Sequence, residues 1–142
     1  MIVNDAIDFE KLIQSTNDRA GAVVSFLGLV RNHNIGKSVE YLEYESYEPL
    51  ANKMIAQIIL DAKQKWELHD VLCQHRIGKV EIGKAVVVVI TQASHRKVAY
   101  ESNEYIINRV KAEVPIWKKE YFTDGKVFWS DNDNKDMKEV KG

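Results

Sequence analysis

The stretch "KAVVVVITQA", Lys84 to Ala93, limits the folds open to this chain more than any other. Its apolar residues do not alternate with polar ones, so as a strand it is buried on both faces and sits centrally in a sheet. A chain of 142 residues, 45% of them hydrophobic, is long enough for one sizeable core around such a strand and too short for two. Neither this run nor "GAVVSFLGLV" approaches the ~20 apolar residues that span a bilayer. The amino terminus lacks a basic start followed by an apolar signal core, so a soluble cytoplasmic protein is expected. The single cysteine, Cys73, rules out an internal disulfide framework and suits a reducing compartment.

Around the central run the pattern alternates helices with strand pairs. "DFEKLIQSTND" opens with the cap candidate Asp8 and puts Phe9, Leu12 and Ile13 on one face of a short helix. "GAVVSFLGLV" and "SVEYLEYESY" are β-rich and flank the turn-like "RNHNIGK", which predicts a β-hairpin. From Pro49 a long helix repeats Leu50, Met54, Ile58, Ala62 and Trp66, with Ala51, Ile55 and Ile59 beside them. "DVLCQHRIG" and the central run follow as strands. Ser94 can then cap a third helix from His95 to about Glu113, with Val98, Ile106 and Val110 inward and Pro115 ending it. "IWKKEYF" and "KVFW" form a last extended pair around "TDGK". The expected class is α+β, one domain over residues 1–129 with antiparallel sheets and about three helices. Residues 130–142, nearly free of apolar surface, are expected to form a disordered tail.

Two motifs invite functions that their context does not support. "GKVEIGKA" has phosphate-loop spacing, but Ala85 replaces the Ser or Thr that would hold magnesium, and the segment leads into a strand instead of a helix. His69, Cys73 and His75 lie on one short strand-like segment and cannot easily surround a tetrahedral metal ion. Cys73, in a strand with alternate residues buried, reads as a small buried thiol.

The charge pattern is more informative. Lys and Arg number 20 against 21 Asp and Glu, a net charge of −1, so no general attraction to nucleic acid exists and any anion site must be local. His95 and Arg96 fall in the first turn of the third helix, where the dipole disfavours cations and free amides favour an anion. Simple solvation of both side chains explains them as well. Arg31, His33 and Lys37 border the turn after the first long strand, where charged side chains are ordinary. Lys111 lies in the helix's last turn, where a cation is favoured. Lys118 and Lys119 point to opposite faces of an extended segment, so only one shares a pocket with Lys111. Burial of Trp117 would anchor Lys118, and desolvation beside other cations would lower its pKa toward acid–base use. The ends of the third helix lie roughly 25 Å apart at ~1.5 Å per residue, so uniting them calls for an antiparallel neighbour or a second subunit.

The blocks "FLGLVRNHN", "LEYESYEPLA", "HRIGKVEIG", "SHR" and "VKAEVPIWKKE" resemble, in order and spacing, the MoaE family, the large catalytic subunits of molybdopterin synthase. The resemblance runs from about Gly21 to Trp129. It implies an α/β-hammerhead fold and a homodimer flanked by two copies of a small ubiquitin-like sulfur carrier (MoaD-like), together a heterotetramer. It also implies an enzyme that inserts two sulfurs from the carrier's carboxy-terminal Gly-Gly thiocarboxylate into cyclic pyranopterin monophosphate, giving the dithiolene of molybdopterin. Carried over by position, substrate contacts fall on Leu29, Val30, Arg31, His95, Arg96, Lys111, Lys118, Lys119 and Glu120, with Lys111 and Lys118 catalytic. No metal or other cofactor is expected, the pyranopterin being substrate.

These implications give the clustered cations a chemical purpose. A phosphate and a thiocarboxylate must approach one another, and cations offset their repulsion. Arg31, His95 and Arg96 would hold the phosphate, Lys118 would steady the thiocarboxylate, Lys111 would transfer protons and Glu120 would orient a lysine. A non-catalytic phosphoanion-binding module and a scaffold that docks an acidic tail are the competing readings. Turnover separates them from the enzyme.

Overall fold

A computed structural model describes residues 1–131 and 137–140. In chain order the elements are β1 (Ile2–Val3), α1 (Phe9–Leu12), β2 (Ala22–Leu29), β3 (His33–Asn34), β4 (Lys37–Ser46) and α2 (Glu48–Lys65). There follow β5 (Asp70–Arg76), β6 (Gly78–Glu81), β7 (Ala85–Ala93), α3 (Arg96–Glu113), β8 (Ile116–Phe122), β9 (Val127–Asp131) and β10 (Met137–Glu139). The α+β class, the largely antiparallel sheets and the three helices agree with the sequence reading.

Strand β7 is central, as its uninterrupted apolar run requires: it lies between β5 and β2 in a four-stranded sheet ordered β1-β5-β7-β2. Every residue from Val86 to Ala93 is buried. Helix α3 packs against β7 and β2, and polar groups tie it down. The Thr91 hydroxyl donates to the Ala99 carbonyl at 2.7 Å, and Asn103 Nδ2 donates to the carbonyls of Val24 and Val89 at 3.0 and 2.9 Å. Each of these buried groups is therefore satisfied, which spares the core a penalty of about 1–3 kcal/mol per orphan. Helix α2 turns Ala51, Ile55, Ile58 and Ala62 inward. Leu50, placed by the sequence on the inner stripe, is exposed, because the buried line starts at Ala51 and Ile55 and joins that stripe only at Ile58 and Ala62. Arg109 on α3 joins the two long helices through Asp61 of α2 at 2.6 Å and is steadied within its own helix by Glu113, also at 2.6 Å.

The second sheet is six-stranded, β10-β9-β8-β4-β3, with β6 beside β4. Here the expected hairpin between the first two long strands fails. β2 pairs with β7 along its whole length, whereas β4 pairs with β8 and β6. The turn in "RNHNIGK" closes only the two-residue pairing of β3 with β4, through the positive φ angles of Ile35 (48°) and Gly36 (74°). Both long strands find longer partners far away in sequence, and the chain leaves one sheet for the other at Val30. There the Val30 N–H donates to the Lys84 carbonyl and its carbonyl accepts from Gly83 N–H, at 3.1 and 2.8 Å. The reverse crossing comes between β5 and β6, at Gly78, whose φ of 89° favours glycine.

Three smaller expectations also change. Ser94 does not cap α3: His95 is the N-cap, without a side-chain bond, and the Ser94 hydroxyl instead meets His69 Nε2 at 2.8 Å. Trp117 is 36% exposed and does not bury itself beside Lys118; its Nε1 donates to Glu45 at 3.3 Å. The segment expected to be disordered from residue 130 contains the end of β9 and all of β10, which pairs Lys138 with Trp129. Backbone pairing along the open edge of β9 orders these residues despite their polarity. Residues 132–136 and 141–142 of that predicted tail lie outside the described residues.

Candidate active site

The two crossings leave a cavity of about 410 Å³ where the sheets part. The first sheet contributes Gly28, His75 and Val87, the crossing segment Arg31, and the second sheet Asn34, Tyr44, Lys118 and Glu120. Lys111 reaches it from the last turn of α3. Gly28 leaves room for the side chain of its β7 partner Val87 on the cavity wall, since a Cβ there would stand 2.6 Å from Val87 Cγ1.

Strand β8 supplies the chemistry by its pleat. Lys118 and Glu120, two residues apart, share the inward face and are 8% and 2% exposed. Burial pushes the Lys118 amine below its ordinary pKa of 10.5; Glu120 opposes that shift, and Lys111 and Arg31 reinforce it. Glu120 is held in turn, with Asn34 Nδ2 donating to Oε1 at 2.8 Å and the Ser130 hydroxyl 3.5 Å from Oε2. The cavity thus combines one anchored carboxylate, a desolvated amine and two exposed cations, Arg31 and Lys111. Such a set can hold anions and move a proton.

Of the residues marked in the sequence, Leu29, Arg31, Lys111, Lys118 and Glu120 meet at this cavity. Val30 does not line it; its buried side chain and backbone pin the crossing. Lys119 faces the other side of the sheet, 4.0 Å from Glu43 and over the Trp129 ring at 4.6 Å. His95 and Arg96 are exposed at the opposite end of α3 from Lys111, beyond the cavity's lining. Three further lining residues, Asn34, Tyr44 and His75, escaped the sequence reading. Asn34 lies in a turn-like segment, and His75 shares its strand-like segment with His69 and Cys73, where a metal site is the function its residue type suggests. Its place two residues after the buried Cys73 on β5 was the available sign that it points inward.

The chain matches the family described as MoaE protein over residues 2–113. It belongs to that family. It is 46% identical over 131 residues to the molybdopterin synthase catalytic subunit of Bacillus subtilis, covering 92% of this chain and 83% of that protein. The Staphylococcus aureus (strain COL) subunit of the same name is 42% identical over 141 residues, covering 99% and 95%. Among solved structures, molybdopterin synthase from Staphylococcus aureus superposes with a TM-score of 0.85 at 43% identity, covering 91% of this chain and 94% of that one. A complex of subunits 1 and 2 of molybdopterin-converting factor from Helicobacter pylori gives 0.72 at 25% identity, covering 87% and 84%. The MoaE match ends at Glu113, before β8, so the Lys118–Glu120 pair lies beyond it.

Proposed function

We propose that this chain is the catalytic subunit of a molybdopterin synthase, a sulfurtransferase of molybdenum cofactor biosynthesis. Its relatives' names support that role, and the observation that carries it to particular residues is the buried Lys118 beside Glu120, Lys111 and Arg31. The substrate is cyclic pyranopterin monophosphate, and the sulfur donor is the carboxy-terminal Gly-Gly thiocarboxylate of a small carrier subunit. The two-subunit complex among the structural relatives supports such a partner.

Attack by the thiocarboxylate sulfur on a side-chain carbon of the pyranopterin breaks that carbon's bond to oxygen, the oxygen leaving as water or as the freed end of the phosphate ester, and joins carrier and pyranopterin in a thioester. Water then adds to the acyl carbon, the acyl C–S bond breaks, the carrier leaves as a carboxylate and the sulfur stays on the substrate. A second carrier repeats the cycle. The neutral form of Lys118, favoured by burial, accepts the proton of the attacking water and returns it to the departing sulfur. The exposed Lys111 and Arg31 offset the charges of phosphate and thiocarboxylate. This exchanges the two lysine roles drawn from the sequence, because the desolvated amine is the better proton carrier. No metal or cofactor takes part in these steps.

A homodimer brings in the remaining residues. β2 is the free edge of its sheet, and Val23, Leu29 and the neighbouring Tyr100 on α3 are exposed. Antiparallel pairing of two β2 edges would bring His95 and Arg96 of one copy toward Leu29 and Arg31 of the other. Two carriers on this dimer complete a heterotetramer. Among the described residues no helix is long and apolar enough to cross a membrane, and a reduced lone cysteine fits a cytoplasmic setting.

The test is to mix the protein with thiocarboxylated carrier and cyclic pyranopterin monophosphate and assay the dithiolene product. Product supports the enzyme; tight binding of both reactants without product would leave an anion-binding module.

A further inference from the structure

His75 is the least explained polar group at the cavity. It is 1% exposed, and its Nδ1 lies 2.9 Å from the Arg76 carbonyl. A carbonyl only accepts, so Nδ1 carries the proton and Nε2 of the neutral ring carries a lone pair. Nε2 has no partner among the described residues. It is also not a sealed orphan, since Arg76 Nε is the only fully buried side-chain polar atom there without a bond. It therefore opens on the cavity that His75 lines. Tyr44, against whose ring the imidazole stands edge-on at 5.3 Å, lines the same floor.

The surroundings keep both groups uncharged. Burial lowers the His75 pKa to about 4, and Lys111 on α3, Lys118 on β8 and the amino terminus beside β1 act in the same direction. Burial, then Glu120 on the same face of β8, raises that of Tyr44, which stays a hydroxyl. The floor thus offers a neutral donor and a neutral acceptor side by side. In a cavity that must admit two anions, a carboxylate in this place would repel them, whereas imidazole accepts a hydrogen bond without adding negative charge.

We infer that His75 is a substrate-orienting residue whose Nε2, with the Tyr44 hydroxyl, reads an amide edge, an N–H beside a C=O, at the cavity floor. This rests on the function proposed above, which supplies two such edges: the pyrimidinone ring of the pyranopterin and the glycyl peptide of the carrier tail.

The experiment is nitrogen NMR of ring-labelled histidine in the full chain, free and with each ligand separately: cyclic pyranopterin monophosphate, or unthiolated carrier. Free protein should show His75 protonated at Nδ1 and bare at Nε2. One ligand should move the Nε2 resonance toward the hydrogen-bonded range, and which one does so identifies the edge. Kinetics provide the second arm. His75→Asn keeps an amide near Nδ1 but nothing at Nε2, and should raise KM for that ligand roughly 10- to 100-fold with a smaller change in kcat. His75→Gln, which restores an acceptor near Nε2, should recover most of the loss. A protonated Nε2 in the free protein overturns the inference, as does an unmoved resonance when both ligands demonstrably bind. Unaltered KM values in a folded His75→Asn protein do so too. A wild-type protein that binds neither ligand would instead refute the proposed function.

Discussion

Lys118 and Lys119 are neighbours of the same chemical type, yet β8 gives them opposite surroundings. Lys118 faces the cavity, buried beside a held carboxylate. Lys119 lies half-buried over Trp129 on the outer face, near Glu43. The difference teaches that the strand's two-residue period, more than the local density of positive charge, selects the reactive group. Solvation and screening leave the outer lysine's ion pair worth little, on the order of 0–1 kcal/mol.

The largest expected effect tests this contrast directly. Lys118→Ala should lower turnover at saturating substrate by roughly 10²–10⁴-fold, while Lys119→Ala should change it by less than about tenfold. Equal losses would erase the distinction between the faces. Lys118→Arg, which keeps charge but cannot give up its proton, should stay near the alanine level.

A second group on the cavity side sharpens the comparison through stability. Burial lowers the His75 pKa from 6.5 to about 4 on folding, so between those values the unfolded chain binds the extra proton. Its contribution is complete above pH 6.5 and is lost as the pH falls to about 4. At about 1.4 kcal/mol per unit this amounts to roughly 3 kcal/mol, measurable by urea unfolding of wild type against His75→Gln. A pH dependence unchanged by the substitution would place His75 in solvent. Smaller again is the effect of Glu120→Gln. Loss of that carboxylate should move the Lys118 limb of the pH–rate profile lower, and a limb that moves higher would contradict the coupling.

Sequence pattern exposed much of this arrangement and hid a definite part. The central β7, the long helices and the β8–β9 pair are written in local periodicity. The separation of Lys118 from Lys119 follows from it as well. The false hairpin shows the limit, because β2 and β4 look like partners until β7 and β8 compete for them across the chain. The same long-range crossing brings Asn34, Tyr44 and His75 to the cavity, and no local pattern marks a residue as facing a junction between sheets. His95 and Arg96 were legible as an anion-seeking pair, but the fold of one chain leaves them at the far end of α3.

The smallest expected effect concerns sulfur. Cys73 is buried on β5, and burial pushes its thiol up to about 11, so it is a poor nucleophile. Cys73→Ala should keep near-normal turnover with thiocarboxylated carrier, at a stability cost of about 1 kcal/mol. Lost activity in a folded Cys73→Ala protein would make this thiol a sulfur relay and shift the chemistry away from Lys118.

The contrast between the two faces of β8 is tested most directly by titrating the lysine side chains of the full chain by carbon NMR, the Lys118 resonance being identified by its absence from Lys118→Arg. Lys118 should titrate clearly below 10.5 in wild type and lower still in Glu120→Gln. A Lys118 amine that titrates at or above 10.5 would contradict its role as the desolvated proton carrier.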